Sequence, residues 1–195
     1  MKKILVVLLI LLPVCAFAQE ETRYPWILTI FGGGASLCTE DGCFGPRGPA
    51  FGASFGRSMT DRWSFELEGT YAWTSENELP LVDLDTGIVY TPVLDRTRVW
   101  GGGHFLGKIA KFGDASDFFI SLGAVGAFER QTEKVPEGIF ATPTKDIGIK
   151  GGLAGGAGVN FWFSDNWGVR PEIRYYLVAS PLSGIRYTAG LMHKF

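Results

Sequence analysis

The feature that most constrains this chain is an alternation of two unlike residue faces that recurs along it to the last residue. Taken every second residue, Ser183–Phe195 separates into Ile185, Tyr187, Ala189, Leu191, His193 and Phe195 on one side. Arg186, Thr188, Gly190, Met192 and Lys194 fall on the other. A period of two is that of an extended strand. From Trp63 the alternate residues are Phe65, Leu67, Gly69, Tyr71 and Trp73; from Trp167 they are Val169, Pro171, Ile173, Tyr175 and Leu177. A soluble β-sandwich alternates too, but has less reason to set aromatic rings at both ends of its apolar faces. A transmembrane barrel must alternate lipid-facing and lumen-facing residues and favours amphipathic rings at both boundaries. The expected fold class is all-β: an eight-stranded antiparallel up-and-down transmembrane β-barrel.

The N-terminus agrees with export. Met1–Ala18, MKKILVVLLILLPVCAFA, has two lysines, an apolar run and an Ala-Phe-Ala end, the three regions of a cleavable signal. Residues 1–18 are therefore expected to be a signal peptide and 19–195 the barrel domain. Cys15 raises a lipoprotein signal, but Val14 stands where that signal needs a small residue. A retained helical anchor would need ~20 apolar residues, and the run is shorter. Removing Lys2 and Lys3 leaves 16 basic against 20 acidic residues, a net of −4. That balance offers no basic patch for nucleic acid.

Strands are expected over Tyr24–Ala35, Ala50–Ser58, Arg62–Trp73, Arg96–Lys108, Asp117–Glu129, Asp146–Phe163, Trp167–Val178 and Gly184–Phe195. Connections at Met59–Asp61, Lys111–Ser116 and Ser164–Asn166 are short. Those at Ser36–Pro49, Thr74–Asp95, Arg130–Lys145 and Ala179–Ser183 are mostly longer. Short turns alternating with longer loops is the outer-membrane barrel pattern, with turns in the periplasm and loops outside. Two turns repeat a detail, Thr60-Asp61-Arg62-Trp63 and Ser164-Asp165-Asn166-Trp167. Asp and Asn bond locally in turns, and the following Trp belongs at the membrane boundary. Asp117-Phe118-Phe119 is expected to do the same after the middle turn.

On these strands, turns and the terminal Phe195, the mature chain resembles the small eight-stranded outer-membrane barrels of the OmpA/OmpX type. The resemblance implies location in the bacterial outer membrane, and outer-membrane lipid and the barrel-assembly machinery as partners, with Phe195 as the assembly signal. His193 departs from the large apolar residue common two positions before that end. A monomer is expected, with an external ligand reached through the loops.

The remaining constellations read as structural. Gly101-Gly102-Gly103, Gly151-Gly152 and Gly155-Gly156 lack the helix and Lys-Ser/Thr that a phosphate-binding loop needs. In strands, glycines give room to bulky neighbours. Cys38 and Cys43, an even pair in an exported chain, are expected to form a disulfide in the first long loop. With Glu40 and Asp41 they make no recognisable metal site. No cofactor is implied. A lipid A-modifying enzyme would need a nucleophile, a base and an orienting carboxylate in reach. The only histidines are His104 and His193; His193 falls on the lipid-facing side, and no Ser stands two residues from His104. No catalytic residues are assigned. Glu76, Glu78, Asp83 and Asp85, with Pro80 and Pro92, mark a solvated acidic loop.

The lumen gives the sharpest expectation. Strands four apart in a barrel of eight face each other, so the third faces the seventh. Aligning the two Trp-led turns sets Glu66 level with Arg170, Glu68 with Glu172 and Thr70 with Arg174. An eight-stranded interior is only wide enough for side chains to fill it. Glu66 and Glu68 are therefore expected to pair with Arg170 and Arg174, with Glu172 in the same cluster and Arg98, His104, Lys150 and Arg186 adding to the polar interior. The function expected is structural or adhesive, through the external loops. A narrow channel for ions or small solutes is the alternative, and a lipid A-modifying enzyme the second.

Overall fold

In the computed structural model, the described residues are 24–38, 47–77, 80–82, 89–113, 115–134, 144–179 and 182–195. The signal peptide expected over 1–18 lies outside them. Eight strands close into one antiparallel barrel: β1 (Trp26–Leu37), β2 (Arg47–Ser58), β3 (Trp63–Asn77), β6 (Val93–Lys111), β7 (Ser116–Lys134), β8 (Thr144–Trp162), β9 (Trp167–Val178) and β10 (Gly184–Lys194). A separate two-stranded hairpin, β4 (Leu81–Val82) with β5 (Val89–Tyr90), lies between β3 and β6. Neighbours in sequence are neighbours in the barrel, and β1 pairs with β10 to close it.

The register fixes the stagger. Stepping from Ile27 through paired residues reaches Gly56, Glu66, His104, Gly123, Ala154, Tyr176 and Gly184 and returns to β1 at Leu37, ten residues on. For eight strands such a stagger goes with a tilt of about 35–45°.

Side chains divide as the alternation requires. Leu67, Trp73, Val169, Ile173, Leu177, Tyr187 and Leu191 are exposed on the outer wall, while Glu66, Glu68, Arg170, Arg174 and Arg186 are buried inside. Trp63 and Trp167 stand on the outer face just beyond their turns. Each turn is tied by a hydroxyl, Thr60 Oγ1 and Ser164 Oγ both accepting from the Trp backbone N–H at 3.0 Å. The middle turn departs from this pattern. Phe119 faces the lumen, fully buried, because the parity that turns Asp117 inward carries Phe119 with it.

Four strands run past the apolar band. β6, β7 and β8 each have 19 residues, about 60 Å at ~3.3 Å per residue, against an apolar band of ~25 Å. β3 and β6 pair out to Asn77 and Val93, whereas β2 pairs with β3 only from Ala50 and Ala72. At the other edge β7 and β8 pair out to Thr132 and Thr144, whereas β9 reaches β8 only to Gly152. A four-stranded sheet thus stands above the loop end of the barrel. Thr74–Asp95 therefore begins and ends as strand, where a loop was expected. The apolar alternation stops there, but polar cross-strand ties continue the ladder. Ser75 donates to Asp95 at 2.6 Å, Lys134 pairs with Asp95 at 2.5 Å, and Arg130 pairs with Asp146 at 2.7 Å. Lys134 first and Ser75 second hold the Asp95 carboxyl below its ordinary range. Lys150 belongs to the same protruding part. It shares the lumen-side parity but lies beyond the last β8–β9 pair, and so is exposed instead of adding to the interior.

Candidate functional site

The lumen is filled in three layers. At the turn end, Arg170 of β9 donates from Nη1 to Glu66 Oε2 of β3 at 2.8 Å and from Nε to Asn160 Oδ1 of β8 at 2.8 Å. Asn160 Nδ2 donates to Asp117 Oδ1 at 2.6 Å, and Lys108 pairs with Asp117 at 3.6 Å. The Phe119 ring lies 5.1 Å from the Arg170 guanidinium. A Cβ at Gly158 would come within 2.7 Å of that ring, so glycine there makes its seat. Gly52 does the same for Phe31.

The middle layer is centred on Arg174. Its Nη2 reaches Glu66 Oε1 at 2.8 Å, its Nη1 reaches Glu68 Oε2 at 2.5 Å, and it also pairs with Glu172. Arg186 of β10 pairs with Glu68 at 2.9 Å and Glu172 at 3.3 Å, donates to Thr70 Oγ1 at 2.7 Å, and lies over the Phe31 ring at 4.1 Å. The Tyr176 hydroxyl and Thr70 Oγ1 complete the shell by donating to Glu68 Oε1 at 2.6 and 3.0 Å. Three glutamates, Glu66, Glu68 and Glu172, thus meet three arginines, Arg170, Arg174 and Arg186, and the cluster is electrically neutral. A buried charge is tolerated only when it is paired and hydrogen-bonded, and both conditions hold here.

The loop end carries an apolar plug. Trp100 and Tyr176 stack at 4.7 Å and pack with Leu37, Val178 and Leu182 in one buried cluster. Leu182 and Ser183, just before β10, are drawn in over it. Arg98, paired with Glu129, donates from Nη1 to Ser183 O at 2.6 Å, Trp100 Nε1 donates to Leu182 O at 3.3 Å, and the Cys38 N–H donates to Ser183 O at 2.9 Å.

The structure brings all five residues singled out from the lumen face, Glu66, Glu68, Arg170, Glu172 and Arg174, into one network. Its detail differs from the level-by-level alignment. Arg174 slants past Thr70 to reach both Glu66 and Glu68, and Thr70 takes Arg186 instead. The Arg98–Glu129 pair and the Trp100–Tyr176 stack were not singled out. Their parity places them inside, but only the three-dimensional closure shows that they meet the β9–β10 turn.

His104 is fully buried inside, and neither ring nitrogen has a hydrogen-bond partner among the described residues. His193 sits outside between the rings of Trp167, at 4.3 Å, and Phe195, at 4.6 Å. Phe195 follows β10, its N–H donating to Trp26 O at 3.0 Å across the closing seam. Cys38 is disulfide-bonded; Cys43 lies outside the described residues, as do Glu78, Asp83 and Asp85. Among the described residues no group of three or more His, Cys, Asp or Glu could hold a metal ion.

No protein-family model matches the chain, and no curated protein matches it by sequence. Solved structures do match. Neisserial surface protein A superposes with a TM-score of 0.60 at 14% identity, over 87% of this chain and 97% of that one. The attachment invasion locus protein Ail of Yersinia pestis, solved with the heparin analogue sucrose octasulfate, gives 0.52 at 14%, over 88% and 98%. The N-terminal β-barrel domain of Pseudomonas aeruginosa OprF gives 0.52 at 12%, over 88% and 97%. At such identities the likeness is one of fold, and that fold is the small eight-stranded outer-membrane barrel.

Proposed function

We propose that this chain is a monomeric outer-membrane barrel with a closed lumen, which acts structurally or adhesively through its external end. The observation that carries the reading is that, among the described residues, buried ion pairs and the Trp100–Tyr176 cluster occupy the lumen. Among the described residues, what stands beyond the rim to meet a partner is the sheet of β3, β6, β7 and β8, with its polar ladder and with no strand paired to its outer edges past Ala72 and Gly152. An unpaired edge is a template for an added strand. The naming of Ail as an attachment protein, and its structure with a heparin analogue, support an adhesive role for such an end. Lipid would surround the outer wall, the barrel-assembly machinery would insert the chain, and Phe195 would be its signal. The disulfide of Cys38 is assigned to Cys43.

The channel reading requires a water-filled path, and continuous pores belong to wider barrels. The enzyme reading requires an activated nucleophile, and no hydroxyl bonds to either histidine among the described residues. Two measurements test the proposal together. Refolded protein in a planar bilayer should show no steady conductance. Display of the barrel on a non-adherent bacterium should raise its attachment to host cells or matrix, or else strengthen its envelope against detergent. Steady conductance, or altered lipid A acyl chains on expression, would overturn it.

A further inference from the structure

At the turn end, the outer wall carries a slot that the filled lumen leaves unexplained. Outward side chains of four adjacent strands and one turn, Trp26, Phe55, Met59, Phe65 and Phe105, line a crevice of about 540 Å³. Trp26 and Phe55 stack at 4.8 Å with planes 4° apart, making one flat wall. Phe65 and Phe105, 5.2 Å apart, make the other. Gly103 lies under the Phe65 ring, where even a Cβ would come within 3.0 Å of it.

One cation borders this apolar space. Arg57 lies over Trp26 at 5.4 Å and uses its Nε on Tyr24 O at 3.4 Å. Its two Nη groups have no acceptor among the described residues, and the side chain is exposed. Arg57 stands two residues before the β2–β3 turn, near the level where Trp63 marks the boundary of the apolar band. Around the same rim, Arg62, Lys108 and Lys111 border a polar recess with Asp61 as its one acid. Hydrocarbon walls ending at a guanidinium form the complement of an anionic amphiphile, and the planar fork of Arg suits a phosphate in two-pronged contact.

We infer that the Trp26–Phe105 slot is a site for one anionic glycerophospholipid of the periplasmic leaflet, its acyl chain between the aromatic walls and its phosphate on Arg57. The inference rests on the membrane reading above, which makes the turn end periplasmic. It adds a lipid headgroup preference that an unspecialised lipid-facing wall would not have.

The test uses the mature barrel refolded into vesicles of equal phosphatidylcholine and phosphatidylglycerol, then extracted in mild detergent for native mass spectrometry. Wild-type barrel should retain one phosphatidylglycerol several-fold more often than phosphatidylcholine. Arg57→Gln should abolish that preference, Arg57→Lys should keep part of it, and Lys111→Gln should leave it intact. Equal retention of the two lipids by wild type would overturn the site, as would an unchanged preference in Arg57→Gln or an equal loss in Lys111→Gln. Heat-modifiable gel mobility is read on the same samples. A wild-type chain that never inserts sinks the membrane reading and the site together, whereas an inserted barrel without preference sinks the site alone.

Discussion

Replacing Glu66 and Glu68 together with alanine should weaken the barrel severely, because the two carboxylates answer all three central arginines. Glu66 pairs with Arg170 and Arg174, and Glu68 with Arg174 and Arg186. Without them Glu172 alone faces three guanidiniums, and the neutral cluster becomes +2 inside a wall of lipid. Stranding one partner of a buried pair costs ~3–5 kcal/mol. Coulomb's law agrees in scale, at ~4 kcal/mol for unit charges 4 Å apart with an effective dielectric of 20. Two unanswered charges set an expected loss of at least ~5 kcal/mol, discounted for water that enters the vacated space. The assay is urea unfolding in vesicles, followed by loss of the compact band on unheated gels. A rescue arm separates charge from cavity: adding Arg170→Met and Arg174→Met to the double mutant leaves only the Arg186–Glu172 pair at 3.3 Å. Net charge returns to zero, and most of the stability should return with it. Bilayer recording of the double mutant should show openings absent from wild type. Unchanged unfolding, with steady conductance already present in wild type, would refute the plug. A double mutant that weakens but is not rescued by restored neutrality would refute the electrostatic account of it.

Four further outcomes follow from the same geometry. Deleting Phe195 removes the N–H that bonds Trp26 O across the closing seam, and should leave the chain as periplasmic aggregate or fragments; an unchanged heat-modifiable band in the membrane fraction contradicts this. Mature protein should take up no thiol reagent until reduced, and the short loop closed by a Cys38–Cys43 bridge should stabilise by no more than ~2–3 kcal/mol; labelling without reduction excludes the bridge. Arg98→Ala strands the Glu129 charge and removes one of the two donors to the carbonyl of Ser183, leaving the Cys38 N–H, and should speed protease cleavage at the β9–β10 turn several-fold in an otherwise folded barrel; equal cleavage in wild type argues against the latch. The depressed Asp95 pKa means its tie to Lys134 is fully present above the ordinary aspartate value of ~3.9, and is lost as pH falls through the lower folded value. By carboxyl NMR, Lys134→Ala should move that titration upward, and an unmoved titration denies the tie.

What was legible in the sequence, and what was not, divides along one physical line. Parity is a property of the backbone, so the inside and outside positions of β3, β9 and β10 could be read from spacing alone. Opposition across the lumen followed from counting strands, which is how Glu66 and Arg170 could be matched. Reach is a property of long side chains and is not periodic. Arg174 therefore slants to two glutamates where a level pairing offered it Thr70. Strand ends were read short for a similar reason. The apolar alternation stops where the lipid stops, but Ser75–Asp95 and Arg130–Asp146 carry the ladder into water. Phe119 shows the converse error: an aromatic beside a turn was read from its chemistry, when its parity with Asp117 already turned it inward.

The charged lumen also bears on why this chain adopts one register rather than a neighbouring one. A slip of β3 by a single residue would exchange its two faces. Glu66 and Glu68 would then lie against lipid and Phe65 and Leu67 against Arg170 and Arg174. Arg170 would lose its carboxylate partner and Arg174 would keep only Glu172, while two carboxylates met hydrocarbon. The same slip on β9 would push Arg170 and Arg174 outward, at ~2–4 kcal/mol each near the midplane. An apolar lumen of equal volume would carry no such penalty, because a leucine is as comfortable facing lipid as facing a packed interior. Buried ion pairs are weak evidence for stability, since well-packed apolar replacements often match them. Here their stronger consequence is selective: six charges on three strands, β3, β9 and β10, exclude every one-residue slip, because each would turn some of the six outward.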